Sequence, residues 1–543
     1  MNASAEGARG RTTRDLVVLF AIFTVVKLVV LSMPPEEISP GGLPVFEEWR
    51  RGMCAREWLV GPLLPLMEYQ QGHFQGGTLL TIGLGTLSFA LFGESPLTMR
   101  LPNLLYDLST IGFLYLFVLR VASRRAARIA GLLAAVPSPG YLMVGAVVWT
   151  SHVEANAFAM ALLWFWTRHV FDGRGGPRGA FLLGVLAGLS FWFHYGLLIW
   201  LVLMLLVEVV RDRRAWIRPA MGIRVAGFAI GLAPWWVYNA THGWKGLGVY
   251  GKSASAHFQT SSEEIVETVG RLVSHFLPHS AFLPHWGGAG RALELALFAL
   301  AIAAWLSLTV SSVRALARDR EVRPELVVAA YPLLWSVLYV FGTFHGQDRW
   351  VSGYRYMLPL HPVGWFCVGV LLARAPRAFA HVVVAASLAV FAVGTAHYLR
   401  PDHARINATA PGYHTESIGR FLFLRAGEDP DALVAAMERV VAEREPMEAD
   451  VVLFTLGNCM LFAARIVPNP RKHDADQRVL IEERRARHRA TLDALRQAAP
   501  PRYAPYFDAL RSGERAWKWP ERDRFWRQWD LRGEPRPEGA YAH

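Results

Sequence analysis

Cysteine is scarce: 543 residues hold only Cys54, Cys367 and Cys459. Three thiols at those spacings make neither a disulfide framework nor a thiolate metal site, and only a single Cys54–Cys459 bridge stays open. Internal repeats and long low-complexity tracts are also missing, which excludes solenoids and arrays. Duplicated halves, the usual sequence mark of a secondary transporter, are not found either. Behind the first apolar run, Met33-Pro34-Pro35-Glu36 offers no small-residue cleavage site, so Leu16–Leu31 reads as a retained helix and not as a signal peptide.

Long hydrophobic runs, by contrast, are plentiful. Apolar residues make up 53% of the chain, and mean hydropathy is +0.24. Leu16–Leu31, Phe181–Leu206 and Ala378–Ala396 reach or approach the roughly 17–25 residues of helix that cross a hydrocarbon core. The expected fold class is an all-α polytopic membrane protein, with the lipid bilayer as its first partner. The net charge of +12 does not point to nucleic acid, because its arginines sit in short connections between apolar runs. Arg124, Arg125 and Arg128 form one such group, Arg211, Arg213, Arg214 and Arg218 another, and Arg314, Arg318, Arg320 and Arg323 a third. That is the positive-inside pattern.

With the basic N-terminus inside, the first helix exits near Met33 and Thr98–Leu119 returns to the Arg120–Arg128 connection. The intervening apolar piece, Gly76–Phe92, then reads as a re-entrant or surface-packed helix on the outer face, which bilayers tolerate where protein covers it. A full crossing there would invert everything downstream. The remaining runs alternate to give about eleven spans within residues 1–400, every Arg-dense short loop falling inside. Residues 401–543 read as a small external α-helical domain. Asp429-Pro430-Asp431 opens one helix, Val451–Ala464 supplies a buried one, and Ile481–Arg496 is charged and helical in pattern. Near the end, Trp517, Trp519, Trp526 and Trp529 alternate with basic residues, a mix that suits domain packing, a membrane interface or sugar stacking.

The candidate chemistry sits in the outer connections. Glu47 and Glu48 follow the first span, and a carboxylate there can take a proton from an attacking hydroxyl or ligate a hard cation such as Mg or Mn. Adjacent helical residues point about 100° apart, so one of the two faces a given cavity. The plainer alternative is an acidic turn paired with Arg50 or Arg51. His152 and Glu154 border the membrane, where an ionisable pair is costly unless used or paired. Together they suit one cation or phosphate, and equally a helix-capping pair. His73 lies between Gly72 and Gly76-Gly77, whose missing side chains allow close backbone approach to a ligand. In Gly346–Pro359, Arg355 and then Arg349 are the arginines suited to grip a lipid-linked phosphate or to anchor the interface. Possible metal ligands are Glu47, Glu154 and His152.

The order of these pieces resembles the GT-C glycosyltransferases, nearest the branch of protein O-mannosyltransferases (glycosyltransferase family 39) and the lipid A aminoarabinose transferase. The pieces are Glu47-Glu48, His73–Gly77, Leu91-Phe92-Gly93-Glu94-Ser95 through Arg100-Leu101, His152–Glu154, and Arg355-Tyr356-Met357-Leu358-Pro359. The resemblance covers residues 14–400. It implies an inverting transferase in a bacterial inner membrane, taking a sugar from a polyprenyl-phosphate carrier to a lipid, glycan or protein acceptor on the periplasmic face. It implies Glu47 as catalytic base, with Glu48 next and Glu154 completing the catalytic set. The chain departs from the family in having Glu where Asp is frequent and no Lys-Pro-Pro near His73. A transporter or lipid flippase is the alternative class, for which the buried Lys27 would be the pertinent charge.

Overall fold

The computed structural model describes residues 3–31, 46–61, 66–70, 76–148, 152–247, 261–282, 288–342, 351–398 and 475–498, together with 501 and 508. Every element among them is helical: α1 (Ala3–Leu31), α2 (Phe46–Val60), α3 (Gly77–Phe92), α4 (Pro96–Val121), α5 (Arg124–Ala135), α6 (Pro139–Val144), α7 (Val153–Trp166), α8 (Gly176–Phe193) and α9 (Leu198–Arg211). Then follow α10 (Pro219–Gly231), α11 (Ala233–Thr241), α12 (Ser262–Arg271), α13 (Leu277–Phe282), α14 (Gly288–Asp319), α15 (Glu325–Phe341), α16 (His361–Arg374), α17 (Arg377–Tyr398) and α18 (Ala475–Ala498). The expected helix starting at Asp429, the apolar Val451–Ala464 and the Trp-rich end lie outside the described residues. The charged Ile481–Arg496 is inside α18.

By length and composition, five helices among the described residues can cross a membrane: those within 97–121, 176–193, 290–319, 355–374 and 377–396. The pair α10 and α11, bent by 52°, makes a sixth if counted as one broken span. Helix α3 has 16 residues, so it runs to about 24 Å, less than the roughly 30 Å of a hydrocarbon core. The interruption read at Pro137–Gly140 is real. Helix α5 ends at Ala135, and α6 starts at Pro139, whose ring suits the first helical position.

The chain divides into two units. One comprises Met1–Val30, Gln70–Thr78 and Asn103–Thr395, the other Leu31–Tyr69, Leu79–Pro102 and Ala396–His543. In the first unit, α8 and α10 meet through two small-residue pairs, Gly184/Gly188 and Gly227/Gly231. A Cβ on Gly184 would lie 2.1 Å from Arg224 O, and one on Gly231 2.1 Å from Val185 O. Such G-x-x-x-G contacts let backbones touch in an apolar solvent where hydrophobic pressure between helices is absent.

At the basic end of the same unit, Asp15 accepts hydrogen bonds from Arg124 (2.8 Å), Arg128 (3.0 Å) and Tyr115 (2.7 Å). Burial alone would raise its pKa. The hydrogen bonds from Arg128, Tyr115 and Arg124 outweigh that and hold the carboxyl well below the usual range. The second arginine of that connection, Arg125, donates to Ala373 O (3.0 Å) and Ala375 O (3.1 Å), closing the end of α16. The basic loop therefore fastens three helices as well as marking a membrane side.

Candidate active site

Residues far apart in sequence converge at the start of α7. His152 precedes the helix and Glu154 lies in its first turn, where a carboxylate meets unpaired amides and the positive end of the dipole. Its Oε2 accepts the His152 backbone N–H at 3.1 Å, and the residue is fully buried. Glu154 thus plays the capping part that the sequence left open. The His152 ring stands edge-on to Tyr356, centroids 5.0 Å apart and planes at 85°, and 5.7 Å from the ring of His194. Burial pushes His194 down to about 4, so its imidazole is neutral at working pH.

Arg355 reaches this cluster from the 3-10 segment Val351–Leu360. Its guanidinium carbon sits 5.1 Å from the Tyr356 ring centroid, and Nη2 donates to Tyr356 Oη at 3.2 Å. The segment is tied to α7 by Asn156 Nδ2 donating to Leu358 O at 3.2 Å, both buried. His152, Glu154 and Arg355, about two hundred residues apart in sequence, therefore form one polar cluster. Tyr356, His194 and Asn156 were not singled out, although Tyr356 belongs to the Arg-Tyr-x-Leu-Pro piece and His194 divides one apolar run.

A second buried polar group backs the first. Lys27 Nζ lies 2.9 Å from Asp107 Oδ2 and donates to Gly145 O at 2.9 Å, with neither side chain more than 2% exposed. Tyr141 Oη donates to the other Asp107 oxygen at 3.0 Å. Asn103 Nδ2 donates to Val147 O at 3.1 Å, which fixes the stretch leading towards His152. Lys27 does not snorkel to the interface. Its partner was legible only as a lone aspartate in the apolar run Thr98–Leu119.

In the other unit, α2 and α3 pack through Thr86 Oγ1, which donates to Ala55 O at 2.9 Å, and through the Arg56–Glu94 ion pair at 3.0 Å. Glu48 and Arg100 are both fully buried there. Arg100 Nε donates to Glu48 Oε1 at 2.8 Å, and Nη2 lies 2.7 Å from the same oxygen. Among the partners of Glu48 is the arginine of the Arg100-Leu101 piece. Arg100 Nη1 is buried without a hydrogen-bond partner among the described residues. Glu47 lies on α2, but its side chain is outside the described residues, as are all of His73 and Arg349.

The glycines after His73 serve packing. Gly76 N donates to Trp192 O at 3.0 Å, and a Cβ on Gly76 would fall 2.2 Å from the Trp192 indole. On Gly77 it would lie 2.8 Å from Phe193 O. The close approach read there is made by α8, in place of a ligand. No group of three or more His, Cys, Asp or Glu side chains suited to a metal occurs among the described residues.

Comparison with known proteins follows the same lines. Residues 83–238 match the family model "Dolichyl-phosphate-mannose-protein mannosyltransferase". No curated protein matches the sequence. Among solved structures, ArnT from Cupriavidus metallidurans bound to undecaprenyl phosphate aligns at 16% identity, over 89% of this chain and 81% of that one, with a TM-score of 0.49. The oligosaccharyltransferase AglB from Archaeoglobus fulgidus, in complex with an inhibitory peptide and a dolichol-phosphate, aligns at 15% identity over 86% and 61%, TM-score 0.45. The Archaeoglobus fulgidus oligosaccharyltransferase complex with Zn and sulfate aligns at 17% identity over 81% and 57%, TM-score 0.40. The matched stretch holds Arg100, His152 and Glu154, and over it the chain is similar to a family of the GT-C superfamily glycosyltransferases.

Proposed function

We propose that the chain transfers a sugar from a polyprenyl-phosphate carrier to a hydroxyl or amine acceptor on the outer face of a bacterial inner membrane, through a bundle of about eleven spans. The observation that carries this reading is the convergence of His152, Glu154 and Arg355 on one polar cluster. A half-buried guanidinium held against a tyrosine face suits a phosphodiester, because charge-assisted hydrogen bonds strengthen where water is excluded. Glu47 takes the acceptor proton as the acceptor atom attacks the anomeric carbon. The carbon–oxygen bond to the carrier phosphate breaks on the opposite face, inverting the centre, and the phosphate leaves with its electron pair, steadied by Arg355 and Arg349. Glu48, held by Arg100, positions α2 and so the adjacent Glu47. His152 and Glu154 shape the polar wall.

A flippase would also place ionisable residues within the bundle, as Lys27 and Asp107 are placed. That pair satisfies itself from both sides and suits a fixed strut. The test is Glu47→Gln in membranes, read as sugar transfer at matched expression. Loss of at least about 100-fold, the usual contribution of a general base, supports the assignment. Undiminished transfer removes Glu47 from the mechanism.

A further inference from the structure

At the basic-loop end of the first unit lies a cavity of about 630 Å³. Three guanidiniums line it, from Arg120, Arg323 and Arg374, and three carboxylates, from Asp172, Glu321 and Glu325. Two pairs are already made: Arg120 Nε donates to Asp172 Oδ1 at 2.9 Å, and Arg323 pairs with Glu321. Arg374 and Glu325 attract each other without an ion-pair contact within 4.0 Å among the described residues, and Glu325 also feels Arg323.

Two buried atoms in the lining have no hydrogen-bond partner among the described residues. Asp172 Oδ2 belongs to a side chain only 8% exposed, and Thr167 Oγ1 to a residue only 2% exposed. Thr167 opens the π-helical segment Thr167–Phe171, an uncommon geometry that recurs at functional sites. The far end of that segment is pinned by Arg211, whose guanidinium carbon lies 4.3 Å from the Phe171 ring centroid and which donates to Val170 O.

The unmet needs are of two kinds. Asp172 Oδ2 can take a hydrogen-bond donor with positive charge, as Glu325 can beyond its present contacts, while Arg374 can take an anion. A simple anion leaves the carboxylates unmet, and a simple cation leaves Arg374 unmet. A zwitterion with a primary ammonium and a phosphodiester answers both. The cavity also has an apolar side, from Val121, Phe171 and Val370, and it opens at the ends of helices long and apolar enough to span a bilayer. Basic pockets between spans at that level are known places for phospholipid headgroups.

We propose that this cavity holds the headgroup of an aminophospholipid, its ammonium on Asp172, Thr167 and Glu325 and its phosphodiester on Arg374. The test uses the purified full chain, delipidated and exposed to equimolar phosphatidylethanolamine, phosphatidylcholine and phosphatidylglycerol, with retained lipid counted by native mass spectrometry. The expected result is retention of phosphatidylethanolamine several-fold above both others, because a trimethylated amine has no N–H to donate. Thr167→Val and Asp172→Asn should each reduce the ethanolamine-over-choline preference to near unity. Asp172→Asn also weakens the Arg120 pair, so Thr167→Val and the unaltered protein carry the test if that variant fails to fold. Equal retention of the ethanolamine and choline lipids, or preference for phosphatidylglycerol, overturns the proposal. Stabilisation by soluble O-phosphoethanolamine, with no preference among the lipids, assigns the cavity to a free zwitterion and overturns the lipid assignment. No arm reads sugar transfer, so the outcome is independent of the proposed reaction.

Discussion

Replacing Asp107 by leucine removes the partner of a lysine that has no route to water. Lys27 is wholly buried, with its ammonium on the Asp107 carboxylate and Gly145 O. Stranding one charge of a buried pair costs about 3–5 kcal/mol. The Tyr141 hydroxyl loses its acceptor in the same step, adding about 1–3 kcal/mol. The double replacement Lys27→Met with Asp107→Leu removes both charges and leaves only the Tyr141 term, so it should recover most of the loss. For a large helical unit, a loss of that size lowers the melting temperature by roughly 5–10 °C. The assay is thermal unfolding of detergent-purified protein for wild type, both single variants and the double, read as a cycle. Single variants within about 1 °C of wild type, or a double variant equal to the sum of the singles, would refute the view of this pair as a closed structural strut.

Arg100→Leu removes the Arg100 partner of the buried Glu48 carboxylate and should cost about 3–5 kcal/mol; Glu48→Met with Arg100→Leu should restore much of the melting temperature, and no recovery would mean that the pair is not a closed unit. Gly76→Ala forces the Trp192 indole aside, a change expected to cost about 1–3 kcal/mol in the same unfolding assay; an unchanged melting temperature would contradict the close packing of Gly76 on α8. His194 has a folded pKa near 4, below its unfolded value of about 6.5, so the unfolded chain binds the extra proton. Stability is therefore full above about pH 6.5 and declines as pH falls towards 4, by roughly 3 kcal/mol at most. In His194→Gln this part of the acid decline should disappear, and an identical pH profile would contradict the assignment.

What the sequence disclosed, and what it withheld, follows from the range of the interactions. Helix periodicity and Arg-dense loops are local signals, and α5 ends before the Pro137–Gly140 break as read. His152, Glu154 and Arg355 were legible because charge at a membrane boundary is unusual enough to mark a residue without knowing its neighbours. Partners were not legible. Glu48 finds Arg100, 52 positions away, and Lys27 finds Asp107 on another helix. The two G-x-x-x-G pairs of α8 and α10 were present in the letters, yet apolar runs containing them read simply as spans. Gly76 and Gly77 marked a close approach, and the Trp192 indole and Phe193 meet them there, which a missing Cβ cannot tell from a ligand in sequence alone.

The central claim is that this chain uses a lipid-phosphate sugar donor, and release of the carrier measures it most directly. Purified protein in nanodiscs would be given a panel of undecaprenyl-phosphate-linked sugars with a cell-envelope extract as acceptor source, and free undecaprenyl phosphate would be quantified. The account predicts acceptor-dependent release with at least one donor, lost in Glu47→Gln and weakened in Arg355→Ala. Carrier movement between leaflets with the glycosidic bond intact for every donor would contradict it and place the chain among the flippases.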